Sequence, residues 1–286
     1  MAQLLFNGFI AGLLIALPAL ALSLVYSVMR FANFAIGALL TFSAYGVYYF
    51  NVALSWPLGL SVLAGAIVCI VASLIVNALV HAPLRRQSAL TQLVASMGVA
   101  FILENIVRVA AGNDPRSYDL EIARPVRLWG IRVNQEQGII LLSVVLAATV
   151  TFLLLRVSRL GRAMRALADD PDLAAARGIS ISTTTALVWV MSAILATIGS
   201  TLIGIDSTLT PEMGAVYVLP IFSAAILGGI ARPFAALVGA IGLGICEQLS
   251  TLFIQPYYQT VVAYVIMTLL LLLRPSGLFG MRSVQR

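Results

Sequence analysis

The sequence predicts an all-α polytopic membrane protein with eight or nine transmembrane helices in one domain covering residues 1–286. Three observations carry that reading. The chain is 61% hydrophobic and 10% charged, with a mean hydropathy of +1.03. A soluble domain of this length could not cover so much apolar surface, whereas lipid accepts it. Acidic, basic and histidine residues are absent from Gln3 to Met29 and again from Phe31 to Val80. At about 20 apolar residues per crossing, these runs hold one span and two. Neither run alternates apolar with polar residues, which argues against a transmembrane β-barrel.

The elements follow in order. A first helix runs from Gln3 to Met29 and holds Pro18, which removes one backbone hydrogen bond. Ala19-Leu20-Ala21 has the form of a cleavage site, but no basic residue precedes it, so an uncleaved helix is expected. A second helix covers Asn33 to Phe50, and Trp56-Pro57 marks the following turn. A third covers Leu58 to Val80, and a basic loop with His81, Pro83, Arg85 and Arg86 comes next. A fourth runs from Ala89 to Ala111. A polar loop over residues 112–137 precedes a fifth helix, Gly138 to Leu155. The segment 156–182 is charged and rich in small residues. Further helices are expected over Thr184–Ile205, Ala215–Ile230, Pro233–Phe253 and a last stretch ending near Leu273.

The arginines set an orientation. With segment 156–182 in the cytoplasm, the loops bearing Arg30, Arg85, Arg86 and Arg232 fall inside, as does the tail with Arg274, Arg282 and Arg286. The N-terminus and loop 112–137 then lie outside. That loop carries four Arg, against Asp114, Asp119, Glu121 and Glu136.

Several chemistries are excluded. All 17 basic residues are Arg, so a Gly-Lys-Ser/Thr phosphate loop and Schiff-base catalysis are both impossible. The single histidine rules out His-pair metal motifs. Cys69 and Cys246 sit in apolar runs without C-x-x-C spacing and read as small hydrophobes. No catalytic residue, metal site or cofactor of the chain's own is expected.

Segment 156–182 carries the most local information. Arg162 to Ala168 favours helix. Asp169 and Asp170 interrupt it. Asp170 is then an N-cap, with Pro171 at the first helical position and Asp172 complementing the dipole. Gly178 suits the residue just past the helix end. A short capped helix of small side chains fits a groove on a partner protein. A surface loop whose arginines touch anionic lipid accounts for the same residues.

These residues resemble the coupling loop of ABC importer permeases. Asp172-Leu173-Ala174, three residues and Gly178 is a loose version of the Glu-Ala-Ala-x-x-x-Gly pattern. Arg159, Gly161, Arg162, Arg165, Ala166, Asp169, Gly178 and Ile179 are similar to the matching stretch of the branched-chain amino acid (LivH-type) permeases. So are Met97-Gly98 through Glu104-Asn105 and Gly112, Leu227-Gly228-Gly229-Ile230, and the closing Arg274-Pro275-Ser276-Gly277-Leu278-Phe279-Gly280. Two departures stand out. Asn33-Phe34-Ala35-Ile36-Gly37-Ala38 has Ile and Ala where the family has His and Glu, and Ala231–Ala236 replaces a Gly-Ser/Asn turn.

The resemblance implies a permease bundle in the bacterial inner membrane, moving branched-chain or other small amino acids inward. Its implied partners are a second permease subunit, two ATPases holding ATP and Mg, and a solute-binding protein. The coupling residues would be Gly161, Arg162, Arg165, Asp169, Asp170, Pro171, Asp172, Ala174 and Gly178. The pathway would pass near Asn33, Phe34, Gly37, Glu104, Asn105 and Glu247. Urea, short-amide and aromatic-acid importers share the scaffold. Glu104, Asp206 and Glu247 also admit a self-contained proton-coupled transporter.

Overall fold

The computed structural model describes residues 1–120, 126–128, 131–255, 258–273 and 277–279. Glu121, Pro125, Pro256, Tyr257, Arg274, Pro275, Ser276, Gly280, Arg282 and Arg286 lie outside them. In chain order the helices are α1 (Ala2–Met29), α2 (Ala35–Tyr48), α3 (Leu58–Val76), α4 (Ala89–Ala111), α5 (Gln135–Val157) and α6 (Arg159–Asp169). There follow α7 (Pro171–Ala176), α8 (Ile181–Asp206), α9 (Met213–Gly228), α10 (Pro233–Ser250) and α11 (Gln259–Leu273). Seven of the described helices are long and apolar enough to cross a membrane. Two shorter apolar helices, Met213–Gly228 and Val261–Leu273, accompany them.

α1 is the hub. It packs on α10, α8, α9 and α5. It is apolar all round, and every residue from Gly12 to Val25 is buried. A helix without a polar face has no side to turn toward water, so the bundle closes around it. Close approach depends on small residues. A Cβ on Gly12 would stand 2.7 Å from the Ala240 carbonyl oxygen, and one on Gly244 2.2 Å from the Gly12 nitrogen. The pairs Gly8/Gly12 and Ala240/Gly244 therefore form a single backbone-to-backbone seam between α1 and α10. Gly199 of α8 leaves room for the ring of Pro18, whose Cδ would lie 2.6 Å from an added Cβ.

α2 and α3 both end in a π turn, Tyr49–Ala53 and Asn77–His81. The sequence places His81 in a basic loop. The structure instead buries it completely in the turn that closes α3. Its ring stacks on Phe31 at 4.9 Å and on Trp189 at 5.0 Å between centroids. Two aromatic faces outweigh the loop propensity of the surrounding residues. Arg85, in the 3-10 turn Pro83–Arg86, donates to the Thr185 hydroxyl, and burial lowers its pKa.

The segment expected as a polar external loop is partly folded onto the bundle. Arg116 and Leu209 form an antiparallel bridge. Tyr118 is buried and donates to the Ala44 carbonyl at 3.1 Å. Burial pushes its phenol above the ordinary range, which keeps it neutral. The Asp119 amide donates to Asn51 Oδ1 at 2.9 Å. A short hairpin pairs β1 (Val126–Leu128) with β2 (Ile131–Val133). The Arg132 amide donates to Gln3 Oε1 at 2.9 Å, tying the hairpin to the start of α1.

Two segments of the sequence motifs meet. The Leu278 and Phe279 amides donate to the carbonyls of Leu227 and Gly228 at 2.9 and 3.2 Å. Those carbonyls end α9 and have no helical partner of their own. Arg232, at the N-cap of α10, donates to the Phe279 carbonyl at 2.6 Å.

Candidate functional site

Two groups of residues can be built from the chain upward. The first is the helix pair α6–α7. Ser158 starts α6 by accepting from the Gly161 amide at 3.2 Å. Gly161, Met164 and Leu167 form its buried stripe, spaced three apart. A Cβ on Gly161 would lie 1.8 Å from the Leu155 carbonyl oxygen, so only glycine lets α6 fold back so tightly on α5.

Arg162 and Arg165 turn back as well. They donate to the carbonyls of Val157 and Leu155 at 3.0 and 2.7 Å. These are orphan carbonyls at the end of α5, where cations are also favoured by the helix dipole. The structure thus gives both arginines an intramolecular capping role.

Asp170 caps α7, accepting from the amides of Asp172 and Leu173 at 3.0 Å each. Pro171 occupies the first turn. Gly178 has φ +81°, and the amides of Gly178 and Ile179 donate back to Ala175 and Ala174 at 2.9 and 3.1 Å. That left-handed ending closes the helix. Ala174 alone of α7 is buried. Asp169, Asp172, Ala175, Ala176 and Gly178 are exposed, and Leu173 is 58% exposed. A rigid, doubly capped helix therefore offers one leucine and several small residues outward.

The second group holds the pathway candidates. Asn33 is buried; its Oδ1 accepts from the Ala35 amide at 3.1 Å, and its Nδ2 has no partner among the described residues. The Phe34 amide donates to Ser96 Oγ of α4 at 3.0 Å, and its ring stacks on Phe222 of α9 at 4.6 Å. Gly37 lies against Gly214: an added Cβ would stand 2.5 Å from the Gly214 carbonyl oxygen. Asn33, Phe34 and Gly37 thus sit where α2, α4 and α9 meet. Ile36 and Ala38, the departures from the family pattern, are both buried within the bundle.

Glu104 lies about two turns beyond Ser96 on α4. It accepts from Arg108 at 2.7 Å, the pairing its i,i+4 spacing allows. The same Arg108 nitrogen reaches Glu212, before α9, at 2.8 Å. Asn105 is exposed and donates to its own helix, to the Phe101 carbonyl at 2.8 Å. Glu247 is half-buried on α10, which packs on α1, α9 and α11. The six candidates are therefore not one site: Asn33 and Phe34 lie in the turn before α2, Gly37 on α2, Glu104 and Asn105 on α4, and Glu247 apart on α10.

Sequence reasoning did not single out Ser96, Glu212 or a polar seam between α2 and α8. In that seam the Ser43 and Ser200 hydroxyls are 2.8 Å apart. Ser200, with small residues Ala196 and Gly204 four positions either side on α8, was the available signal.

A bundle with seven helices long and apolar enough to cross a membrane, among the described residues, has the architecture of a multi-span membrane protein. The chain belongs to the family of the branched-chain amino acid transport system permease component, whose model matches residues 4–271. Members are transport pore subunits rather than enzymes. The chain is 29% identical to the high-affinity branched-chain amino acid transport system permease protein LivH of Salmonella typhimurium, over 99% of this chain and 97% of that one. It is 30% identical to BraD of Pseudomonas aeruginosa at the same coverage. It is 27% identical to the probable LivH of Methanocaldococcus jannaschii, over 93% and 89% of the two chains. The fold is similar to a chain of PsaBC from Streptococcus pneumoniae in complex with Fab. There the TM-score is 0.51 and the identity 9%, over 96% of this chain and 92% of that one.

Proposed function

We propose that the chain is the pore subunit of an ATP-driven importer that moves branched-chain or other small amino acids inward. In this reading two permease subunits, identical or homologous, enclose the pathway. A solute-binding protein delivers cargo outside, and two ATPases carrying ATP and Mg work inside. The N-terminus faces out; the C-terminus and α6–α7 face the cytoplasm.

The observation that carries the reading is the α7 surface. A six-residue helix capped at both ends and seated through Ala174 alone has no intramolecular task for its outer face. Leu173 and its small neighbours suit an apolar groove on a partner. The lack of lysine in the chain supports ATP hydrolysis by separate subunits. A closing pair of ATPases would move α7 and, through α6, the ends of α5 and α1.

The test is co-purification of the ATPase with a variant carrying Asp172→Arg and Gly178→Arg. The expected result is loss of the ATPase and of uptake, with the permease still inserted. Retained ATPase binding together with retained uptake would refute the reading.

A further inference from the structure

We propose that the cavity between α2 and α4, with Arg116 at its edge, binds the carboxylate of a small apolar acid. The cavity measures about 400 Å³. Phe42, Tyr45, Tyr48 and Tyr49 of α2 and its π turn form the aromatic wall, and Ala110 of α4 lies opposite. Among the described residues, Arg116 is the only charged one in its lining.

Arg116 is held in place by its backbone. Its amide donates to the Leu209 carbonyl at 2.9 Å, and the Leu209 amide donates back at 2.7 Å. Its guanidinium makes one long contact, from Nη2 to the Ala111 carbonyl at 3.5 Å. Among the described residues no carboxylate lies within ion-pair distance of it. Arg108 is the counterexample on the same side of the bundle, with two carboxylates on one nitrogen. An uncompensated guanidinium beside an apolar wall attracts an anion that can also shed water. A bare inorganic anion keeps its hydration and gains nothing from four aromatic rings. A carboxylate on an apolar body matches both the charge and the wall. The cavity volume suits an amino acid with a branched or aromatic side chain, its amino group toward the opening.

This inference rests on the reading of the chain as a small-solute permease. The test uses the full chain with its ATPase subunits, without solute-binding protein, in phosphatidylcholine nanodiscs. Thermal unfolding is followed with L-leucine, L-phenylalanine and their carboxamides. The acids should raise the Tm and the amides should not. Arg116→Gln should weaken the apparent affinity at least about tenfold, the loss of a charge-assisted contact. Ala110→Trp, which fills the cavity and leaves Arg116 alone, should abolish the shift. Amides that stabilise as well as acids would overturn the proposal. So would unchanged binding in Arg116→Gln, or stabilisation by phosphatidylglycerol but by neither acid. ATPase co-purification is scored on each variant. Lost ligand binding with the ATPase retained reports on this cavity, whereas ATPase docking reports separately on α7.

Discussion

Arg30 and Ala168, 138 positions apart, are joined by one hydrogen bond, Nη2 of Arg30 donating to the Ala168 carbonyl at 2.7 Å. Arg30 ends α1 in the left-handed conformation, φ 58°, which is uncommon for a residue with a Cβ. Ala168 lies in the last turn of α6. The bond therefore fixes the extramembrane helix pair to the turn between α1 and α2. Asn33 and Phe34 follow within that turn. In the proposed importer, this bond would link movement of α6–α7 to the place where α2, α4 and α9 meet.

Arg30→Gln should cut that route without dismantling the fold. The contact is exposed, so its loss should cost about 0.5–1.5 kcal/mol. The ATPase should still co-purify, while uptake falls at least about fivefold. Uptake assays on cells expressing the variant, normalised to membrane-inserted protein, decide it. Wild-type uptake would show that coupling does not pass through Arg30.

Glycines in this bundle divide into two kinds, and substitution should expose the difference. Gly244→Val would drive a side chain into the backbone of Gly12, already 2.2 Å from the position of a Cβ. Overpacking of a helix seam costs about 1–3 kcal/mol or more. Gly98→Ala and Gly59→Ala add a Cβ with nothing within 4 Å. Both should leave the Tm unchanged or slightly raised, because alanine favours helix by about 1 kcal/mol. Parallel thermal melts of the three variants in detergent would test the division.

The contrast between α1 and α5 shows what hydropathy can and cannot say. Their most apolar windows have mean hydropathies of 2.4 and 2.7, yet 89% of the first is buried and 17% of the second. Composition marks both as spans and is blind to which one lies at the centre. Only the small residues facing Ala240 and Gly244 carried that information, and pairing them required the partner helix. The capping of α7 was legible residue by residue, because it is local: Asp170, Pro171 and Gly178 act within a few positions of themselves, whereas the start of α6 at Ser158 was not read from the sequence. Arg116, Glu212 and the Phe31–His81–Trp189 stack were not legible, since each depends on segments far apart in the chain. The sequence also predicted capping from Asp170, and the family resemblance implied a coupling role for Arg162 and Arg165, whose own contacts were not foreseen. Their guanidiniums are committed to carbonyls of α5.

Arg108 bridges α4 to the turn before α9, and its two partners are unequal. Glu104 is 19% exposed and Glu212 68% exposed. Removing Arg108 leaves Glu104 as an unpaired, largely buried charge, so Arg108→Gln should destabilise by about 1–3 kcal/mol. Glu212→Gln loses only a solvated pair and should stay within about 0.5 kcal/mol. The double variant Glu104→Gln/Arg108→Gln should recover much of the loss, because no charge is stranded. A double-mutant cycle from urea or thermal unfolding measures the coupling. Equal effects of Arg108→Gln and Glu212→Gln would mean that the pair to Glu104 contributes nothing.

His81 offers the sharpest separation of packing from polarity. Its ring is fully buried between Phe31 and Trp189, and neither ring nitrogen has a partner among the described residues. The imidazole is therefore held for its flat shape, while its two nitrogens lose hydration without replacement. His81→Phe keeps a planar ring in the stack and removes the unpartnered atoms, so the Tm should hold or rise. His81→Ala should leave a cavity between two aromatic faces and cost about 2–4 kcal/mol. Should His81→Phe prove as damaging as His81→Ala, the nitrogens have a polar task, and the stack is not held by ring packing alone.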